Sequence, residues 1–71
     1  MTLPYNRQRR RGQWEVGMRV RANDRHRRLF PRSLAAEGTL EHFMRGTEMR
    51  VQFDDLKSPQ GIDERFLEPA T

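Results

Sequence analysis

Apolar and polar residues alternate along two stretches of this chain, Val16–Ala22 and Glu48–Phe53. A period of two places apolar side chains on one face of a β-strand and polar side chains on the other. Arg19 and Arg21 occupy the polar face of the first stretch, so we expect them to point toward water or a ligand. The alternation predicts two half-buried strands, of which the second is the clearest in the chain.

Turn-forming residues place the elements that lie between these strands. Gly38–Met44 is predicted as a further strand, which ends at the turn Arg45–Thr47. Asn23–Ala36 is predicted as a long polar and basic loop, because Pro31 disfavours a central strand. A short helical turn is predicted over Ser33–Glu37 at the end of that loop.

The C-terminal part of the chain is predicted to close the fold. Asp54–Gly61 is rich in Asp, Ser, Pro and Gly, which are turn residues. Ile62 is expected to begin a short last strand, and Asp63–Leu67 is expected to close in a single 3₁₀ turn that brings an apolar side chain into the core. Pro69 ends the regular structure.

The chain divides into an arm and one domain. Residues 1–13 lack apolar periodicity and contain the run Arg7–Gly12, so they predict a flexible, disordered arm. Residues 14–69 form the predicted domain, and residues 70–71 are a tail. Apolar residues make up 34% of the chain and charged residues another 34%. The domain therefore has a thin core.

The residue types exclude several kinds of site. The chain has no cysteine, which excludes disulfides and cysteine-ligated zinc. Neither His26 nor His42 has a carboxylate cluster beside it, so no metal and no cofactor are expected. Asp54 and Asp55 are consecutive at a strand end, where successive side chains point to opposite faces and Asp commonly begins a turn. They are therefore predicted to be turn residues rather than a catalytic acid–base pair. We predict a protein that is not an enzyme and, without an export signal or a membrane-length apolar run, a cytoplasmic one.

Short motifs in a fixed order resemble the SH3-like small β-barrels of the Tudor and KOW type. In that superfamily such motifs open strand one, begin strand two, end strand three and close the barrel. The resemblance covers roughly residues 15–69 and implies an all-β fold, a small SH3-like barrel of about five short strands. Many activities occur on this barrel, so it implies no single function. The motifs are Val16-Gly17, Gly38-Thr39, Phe53-Asp54-Asp55 and Leu67-Glu68-Pro69.

Two activities of such barrels are not expected here. A cage for methylated side chains would draw on Trp14, Phe43 and Phe53. The start of strand two, where caged Tudor domains usually have aromatics, is Glu37-Gly38-Thr39 in this chain. Type II dihydrofolate reductases line a pore with Val-Gln-Ile-Tyr, of which only Val51-Gln52 is matched.

Charge is distributed unevenly along the chain. Residues 1–32 hold ten arginines and two acids, a net charge of +8, whereas residues 33–71 hold four bases and eight acids, a net charge of −4. Such a chain presents a basic surface to a polyanion. Thirteen arginines against one lysine suit bidentate phosphate contacts, and a GC-rich bacterial or phage genome gives the same bias.

The first hypothesis is therefore a nucleic-acid-binding accessory or regulatory protein, acting on DNA or RNA. Each phosphate contact steepens the log–log salt dependence of binding by about 0.9. Trp14 and Phe30 are predicted stacking rings beside the basic track, although Trp14 also suits a core position. Arg19 and Arg21 would join the arm and the loop in one continuous basic stripe. The predicted nucleic-acid contacts are Arg7, Arg9, Arg10, Arg11, Arg19, Arg21, Arg25, Arg27, Arg28 and Arg32.

The second hypothesis is a protein-interaction module that docks on a larger machine, such as a polymerase, a nuclease complex or the target of a phage or plasmid regulator. The arm would then bind an acidic surface of the partner protein. Glu64 and Glu68, near Phe66, would form a second partner-facing edge. A homodimer that buries an exposed strand edge is compatible with either hypothesis.

Overall fold

The computed structural model describes residues 10–70, which form seven β-strands, one short α-helix and one 3₁₀ turn. In chain order these elements are β1 (Arg10–Arg11), β2 (Trp14–Glu15), β3 (Arg19–Ala22), α1 (Asp24–Leu29), β4 (Glu37–Phe43), β5 (Glu48–Phe53), β6 (Gln60–Asp63), the 3₁₀ turn (Glu64–Phe66) and β7 (Leu67–Pro69).

Five of the strands form one antiparallel sheet in the order β6-β5-β4-β3-β7. Strands β3 to β6 are neighbours both in sequence and in the sheet. The 3₁₀ turn then carries the chain back, so that β7 pairs with β3 and Leu67 lies opposite Ala22. β1 and β2 form a separate two-stranded hairpin. The described residues are mostly β, as the alternation predicted.

The five-stranded sheet is open, so it does not form the closed barrel implied by the sequence. No strand pairing joins β6 to β7 within residues 10–70. The reason is the 3₁₀ turn, which takes the chain away from β6 before β7 makes its hydrogen bonds to β3. Ile62 of β6 and Leu67 of β7 nevertheless belong to the same apolar core. The two edge strands of the sheet therefore contribute to one core.

The core lies on the inner face of β3, β4 and β5. Val20, Leu40, Met49 and Val51 are completely buried, and Phe53 is almost so. Each such side chain contributes roughly 1.5–3 kcal/mol when it is removed from water. Buried and exposed positions alternate along β3 and β5. The predicted alternation is confirmed over Glu48–Phe53 and over Arg19–Ala22, the last four residues of the first stretch.

β4 contains two features that shape the sheet. Its register against β5 shifts between Leu40 and His42, which makes Glu41 an extra residue of the bulge type that bends a strand. Near its start, Gly38 is buried directly against β5. A Cβ atom there would lie 2.7 Å from the Cα of Phe53 and would also overlap the carbonyl of Gln52. Close strand contact therefore requires glycine at this position.

A helix replaces part of the predicted loop. α1 begins after Asn23, whose side-chain oxygen accepts a hydrogen bond from the backbone N–H of His26 at 3.1 Å. Asp24 in the first turn and basic residues in the last turn suit the helix dipole. The predicted helical turn over Ser33–Glu37 is absent, because Glu37 already pairs with Arg21 as the first residue of β4.

The ends of the chain's elements also differ from the predicted ones. β3 begins at Arg19, and Val16 and Gly17 form a turn in which Gly17 has a φ of +96°. The predicted 3₁₀ turn is present, and Leu67 after it is buried. Pro69 ends the regular structure as predicted, but as the last residue of a strand that was not foreseen.

Candidate functional site

The structure describes eight of the ten arginines predicted to contact nucleic acid. Arg7 and Arg9 lie outside the described residues. The other eight arginines separate into three groups with different surroundings: two on β1, two on β3, and four on α1 and the turn after it.

The β3 pair is neutralised by carboxylates. Both terminal nitrogens of Arg19 donate to Asp54, one of them at 3.0 Å, and the Nε of Arg21 donates to Glu68 at 2.6 Å. The hydrogen bond with Asp54 raises the pKa of Arg19, and it lowers the pKa of Asp54. A phosphate would compete with Asp54 for Arg19, whereas Arg21 engages Glu68 through its Nε atom. That β3 joins the arm to the loop in one stripe stays a prediction.

The β1 pair lies in the β1–β2 hairpin, within the segment that was predicted to be a flexible arm. Arg10 pairs with Glu15 at 3.1 Å across the hairpin. Arg11 points toward the turn between β4 and β5 and donates to the carbonyl oxygen of Gly46 at 2.7 Å. Its guanidinium also lies over the ring of Phe43. Arg11 is therefore a structural clamp between two hairpins.

The arginines on α1 and the turn after it differ from both other pairs. Arg27 pairs with Asp24 and donates to the carbonyl oxygen of Ala22 at 2.9 Å. Arg25, Arg28 and Arg32 are exposed and form no ion pair within residues 10–70. Helical spacing puts Arg25 and Arg28 on the same side of α1. We call these three arginines the α1 cluster. No ion pair within residues 10–70 neutralises their positive charge.

The two aromatic residues predicted to stack on bases have opposite environments. Trp14 is only 4% exposed and belongs to the core, so its ring faces are not available to a base. Phe30 is 51% exposed and follows α1 directly. Its ring centroid lies 5.0 Å from that of His26 and 6.1 Å from that of Phe66.

Phe30 borders an apolar groove that sequence patterns did not reveal. The groove has a volume of about 310 Å³ and lies between α1, the segment after it, the turn before β6, and the 3₁₀ turn. Its apolar lining comes from four separate parts of the chain, which is why no local pattern indicates it. The only sequence signal is the apolar pair Leu29–Phe30 within an otherwise basic segment. The lining includes Phe30, Phe53, Leu56, Ile62 and Phe66, with polar groups from His26, Ser33, Gln60 and Asp63.

Two titratable groups border this groove. His26 is 7% exposed, and its burial, followed by the charge of Arg27, lowers the pKa of its imidazole. It is therefore neutral at pH 7 and carries one donor and one acceptor nitrogen. The pKa of Asp63 is lowered to about 2, chiefly by the backbone N–H of Arg65 at 2.9 Å and then by the hydroxyl of Thr47 at 2.7 Å. Asp63 is therefore ionised at neutral pH, and each of its carboxylate oxygens accepts a hydrogen bond.

Other kinds of site find no support in the described part of the chain. No group of three or more His, Asp or Glu residues within residues 10–70 is arranged to hold a metal ion. None of the helices in that range has the length and apolar character needed to cross a membrane. No family model matches the chain, and no curated protein or solved structure matches it significantly.

Proposed function

We propose that this chain is a small nucleic-acid-binding accessory protein of the cytoplasm, whose phosphate contacts centre on the α1 cluster. The observation that carries the proposal is the environment of Arg25, Arg28 and Arg32: three exposed arginines that have no carboxylate partner within residues 10–70 and lie close in sequence to the half-exposed Phe30. One guanidinium group can bind two oxygens of a phosphate at once, and a nearby aromatic ring offers a surface on which a base can stack.

The paired arginines sharpen this proposal. Since Arg19 and Arg21 are held by acids, the sheet surface offers little net charge to a polyanion. Binding is then local to one end of the domain, with Arg7 and Arg9 of the N-terminal segment as additional contacts. So few phosphate contacts give weak binding, with a log–log salt slope of only about 0.9 per contact and little base readout.

The resemblance to SH3-like barrels is part of the same proposal. Three features support it: the meander of β3 to β6, the 3₁₀ turn, and the return of β7 to pair with β3. The motifs also lie at strand ends, with Gly38-Thr39 near the start of β4 and Leu67-Glu68-Pro69 forming β7. We propose an open member of this superfamily, whose sheet positions α1.

The test compares two variants that remove equal charge. Labelled single-stranded DNA, single-stranded RNA and duplex DNA are titrated at 50 and 200 mM salt with wild type, with Arg25→Gln/Arg28→Gln/Arg32→Gln, and with a control. The control is Arg45→Gln/Arg50→Gln/Lys57→Gln, since these bases are also exposed and form no ion pair within residues 10–70.

We expect the α1-cluster variant to lose most of its affinity, because three phosphate contacts are removed. Its log–log salt slope should become shallower by roughly 2–3. The control should bind nearly as wild type does. Equal losses in the two variants would mean non-specific charge attraction, and no binding of any nucleic acid at low salt would remove the proposal.

A protein partner is the second candidate, and one specific observation favours it. Leu29 is 59% exposed and Leu34 is 67% exposed, both within the same basic segment. Exposed apolar side chains beside unpaired arginines suit an acidic protein with an apolar patch. A pull-down from the native host, with and without nuclease, separates the candidates, because nuclease abolishes recovery of partners only if nucleic acid links them.

A further inference from the structure

We infer that the groove beside α1 receives one unpaired base of a single-stranded nucleic acid, while the α1 cluster holds the flanking phosphates. This inference rests on the proposed function and adds to it a strand preference and a place for the base. Its occupant is argued from the rings that line the groove, from its polar groups and from the adjacent charge.

One ring of the groove, that of Phe30, belongs to a half-exposed residue. Phe30, His26 and Phe66 contact one another with their ring planes inclined by 46° to 78°, so they form a cluster of edges and faces rather than a closed stack. Phe66 and His26 are largely covered, but about half of Phe30 is exposed. A planar base can lie against that ring and gain the energy of base–aromatic stacking.

The size of the groove suits a single base. Its volume of about 310 Å³ is at the lower end of the roughly 300–1,000 Å³ that small-molecule sites span. Phe53, Leu56 and Ile62 give the groove an apolar lining against which a base that has left its stack can lie. A base that remains paired in a duplex cannot enter, so the groove predicts preference for single strands.

Polar groups at the rim match the hydrogen-bonding edge of a base. The Ser33 hydroxyl accepts from the backbone N–H of Ala35 and keeps its own proton to donate. The Gln60 amide donates to the carbonyl oxygen of Ser58, which leaves its own oxygen as an acceptor. Neutral His26 adds a donor and an acceptor. This mixture suits the donors and acceptors of a base better than it suits an aliphatic side chain of a protein partner.

Charge complementarity connects the groove to the nucleic-acid backbone. Arg28 and Arg32 lie two residues before and two residues after Phe30 in sequence, and Arg25 lies one helical turn earlier. The phosphates that flank a base held against Phe30 would therefore lie near the chain segment that carries Arg28 and Arg32, which form no ion pair within residues 10–70. Asp63 is the one carboxylate that lines the groove, and its oxygens already accept hydrogen bonds from Thr47 and Arg65.

The experiment compares three ligands of equal length: a single-stranded DNA, its duplex, and a strand of abasic sugar-phosphate units. The abasic strand keeps the phosphates and removes the bases. We expect wild type to bind the single strand about 5- to 150-fold more tightly than the abasic strand, which corresponds to the roughly 1–3 kcal/mol of stacking per base. The duplex should bind more weakly than the single strand.

Two matched variants locate the base. Phe30→Ala should lower affinity for the single strand toward that for the abasic strand and leave abasic binding unchanged. Leu34→Ala should change neither, because Leu34 is an exposed apolar residue that does not line the groove. Circular dichroism checks that both variants are folded, and backbone NMR shifts on titration with the single strand should centre on Phe30, Gly61 and Phe66.

The outcomes separate this inference from the function on which it rests. Equal affinity for the abasic strand and the single strand overturns the base site but leaves phosphate binding by the α1 cluster intact. NMR shifts at the groove caused by an acidic, apolar peptide but not by the single strand assign the groove to a protein partner. Absence of binding to all three ligands at low salt removes both proposals.

Discussion

The guanidinium of Arg11 lies over the ring of Phe43, with its Cζ atom 4.6 Å from the ring centroid. The same guanidinium donates to the carbonyl oxygens of Gly46 and Glu48, at 2.7 and 3.4 Å. One side chain thus fastens the β1–β2 hairpin to the turn between β4 and β5. The hairpin contributes Trp14 to the core, so the clamp also holds the core closed at that end.

We predict that Arg11→Ala lowers the free energy of unfolding by about 1–2 kcal/mol. The change removes a charged hydrogen-bond donor and a cation–π contact at once. Arg10→Ala is the matched control, because Arg10 is an exposed neighbour whose single ion pair should be worth at most about 0.5 kcal/mol. Urea unfolding measures both. Equal effects of the two substitutions would show that Arg11 is not a clamp.

The contact between Gly38 and β5 leads to a second prediction. Gly38→Ala should lower the free energy of unfolding by about 1–3 kcal/mol, because the new methyl group meets the backbone of Gln52 and Phe53, which cannot move without breaking the sheet. Gly61→Ala is the control, since there the added methyl meets only the flexible carboxylate of Glu48. Thermal unfolding of the two variants should differ clearly, and a similar loss in both would contradict this explanation.

Local alternation predicted β3 and β5, and the turn residues that flank it predicted β4. Glu48–Phe53 was predicted to the residue, and the burial of Val20 and Ala22 followed from the period of two. The helix α1 was missed because its signal is a single Asn23 cap before a run of arginines, and no apolar repeat accompanies it. β7 was missed because three residues have no detectable period.

Which arginines are available to a ligand was harder to predict than the strands that carry them. The sequence gives the number of arginines in a segment, but their availability depends on partners distant in sequence. Arg19 meets Asp54 only because β3 and β5 flank β4, and Arg21 meets Glu68 only because β7 returns to β3. Arg25 and Arg28, which form no ion pair within residues 10–70, differ from Arg19 and Arg21 only in this tertiary context.

The ion pairs on β3 give a third prediction, which concerns binding. Asp54→Asn/Glu68→Gln should tighten nucleic-acid binding, because it releases Arg19 and Arg21 as additional phosphate contacts. The log–log salt slope should steepen by up to about 0.9 for each released arginine. Asp55→Asn/Glu64→Gln, two acids that form no ion pair within residues 10–70, removes the same charge and is the control. A matching gain in the control would indicate net charge rather than released arginines.

The hydrogen bonds to Asp63 predict how stability depends on pH. Its pKa is lowered from 3.8 to about 2, so the folded state binds this proton less readily than the unfolded chain does. The resulting stabilisation is fully present above about pH 5 and is lost as the pH falls from about 4 to 2. Asp63→Asn keeps an oxygen that can accept from the Arg65 N–H but no longer titrates. The urea midpoint of this variant should therefore fall less than that of wild type between pH 6 and pH 2.5.

Two comparisons decide whether this pH effect belongs to Asp63. Part of the loss of stability at low pH should persist in Asp63→Asn, because hydrogen bonding to Arg19 also lowers the pKa of Asp54. Asp55→Asn removes the same charge at an exposed turn position and is the control. If Asp63→Asn and Asp55→Asn lose stability equally on acidification, the hydrogen bonds from Thr47 and Arg65 do not stabilise the ionised carboxylate in solution.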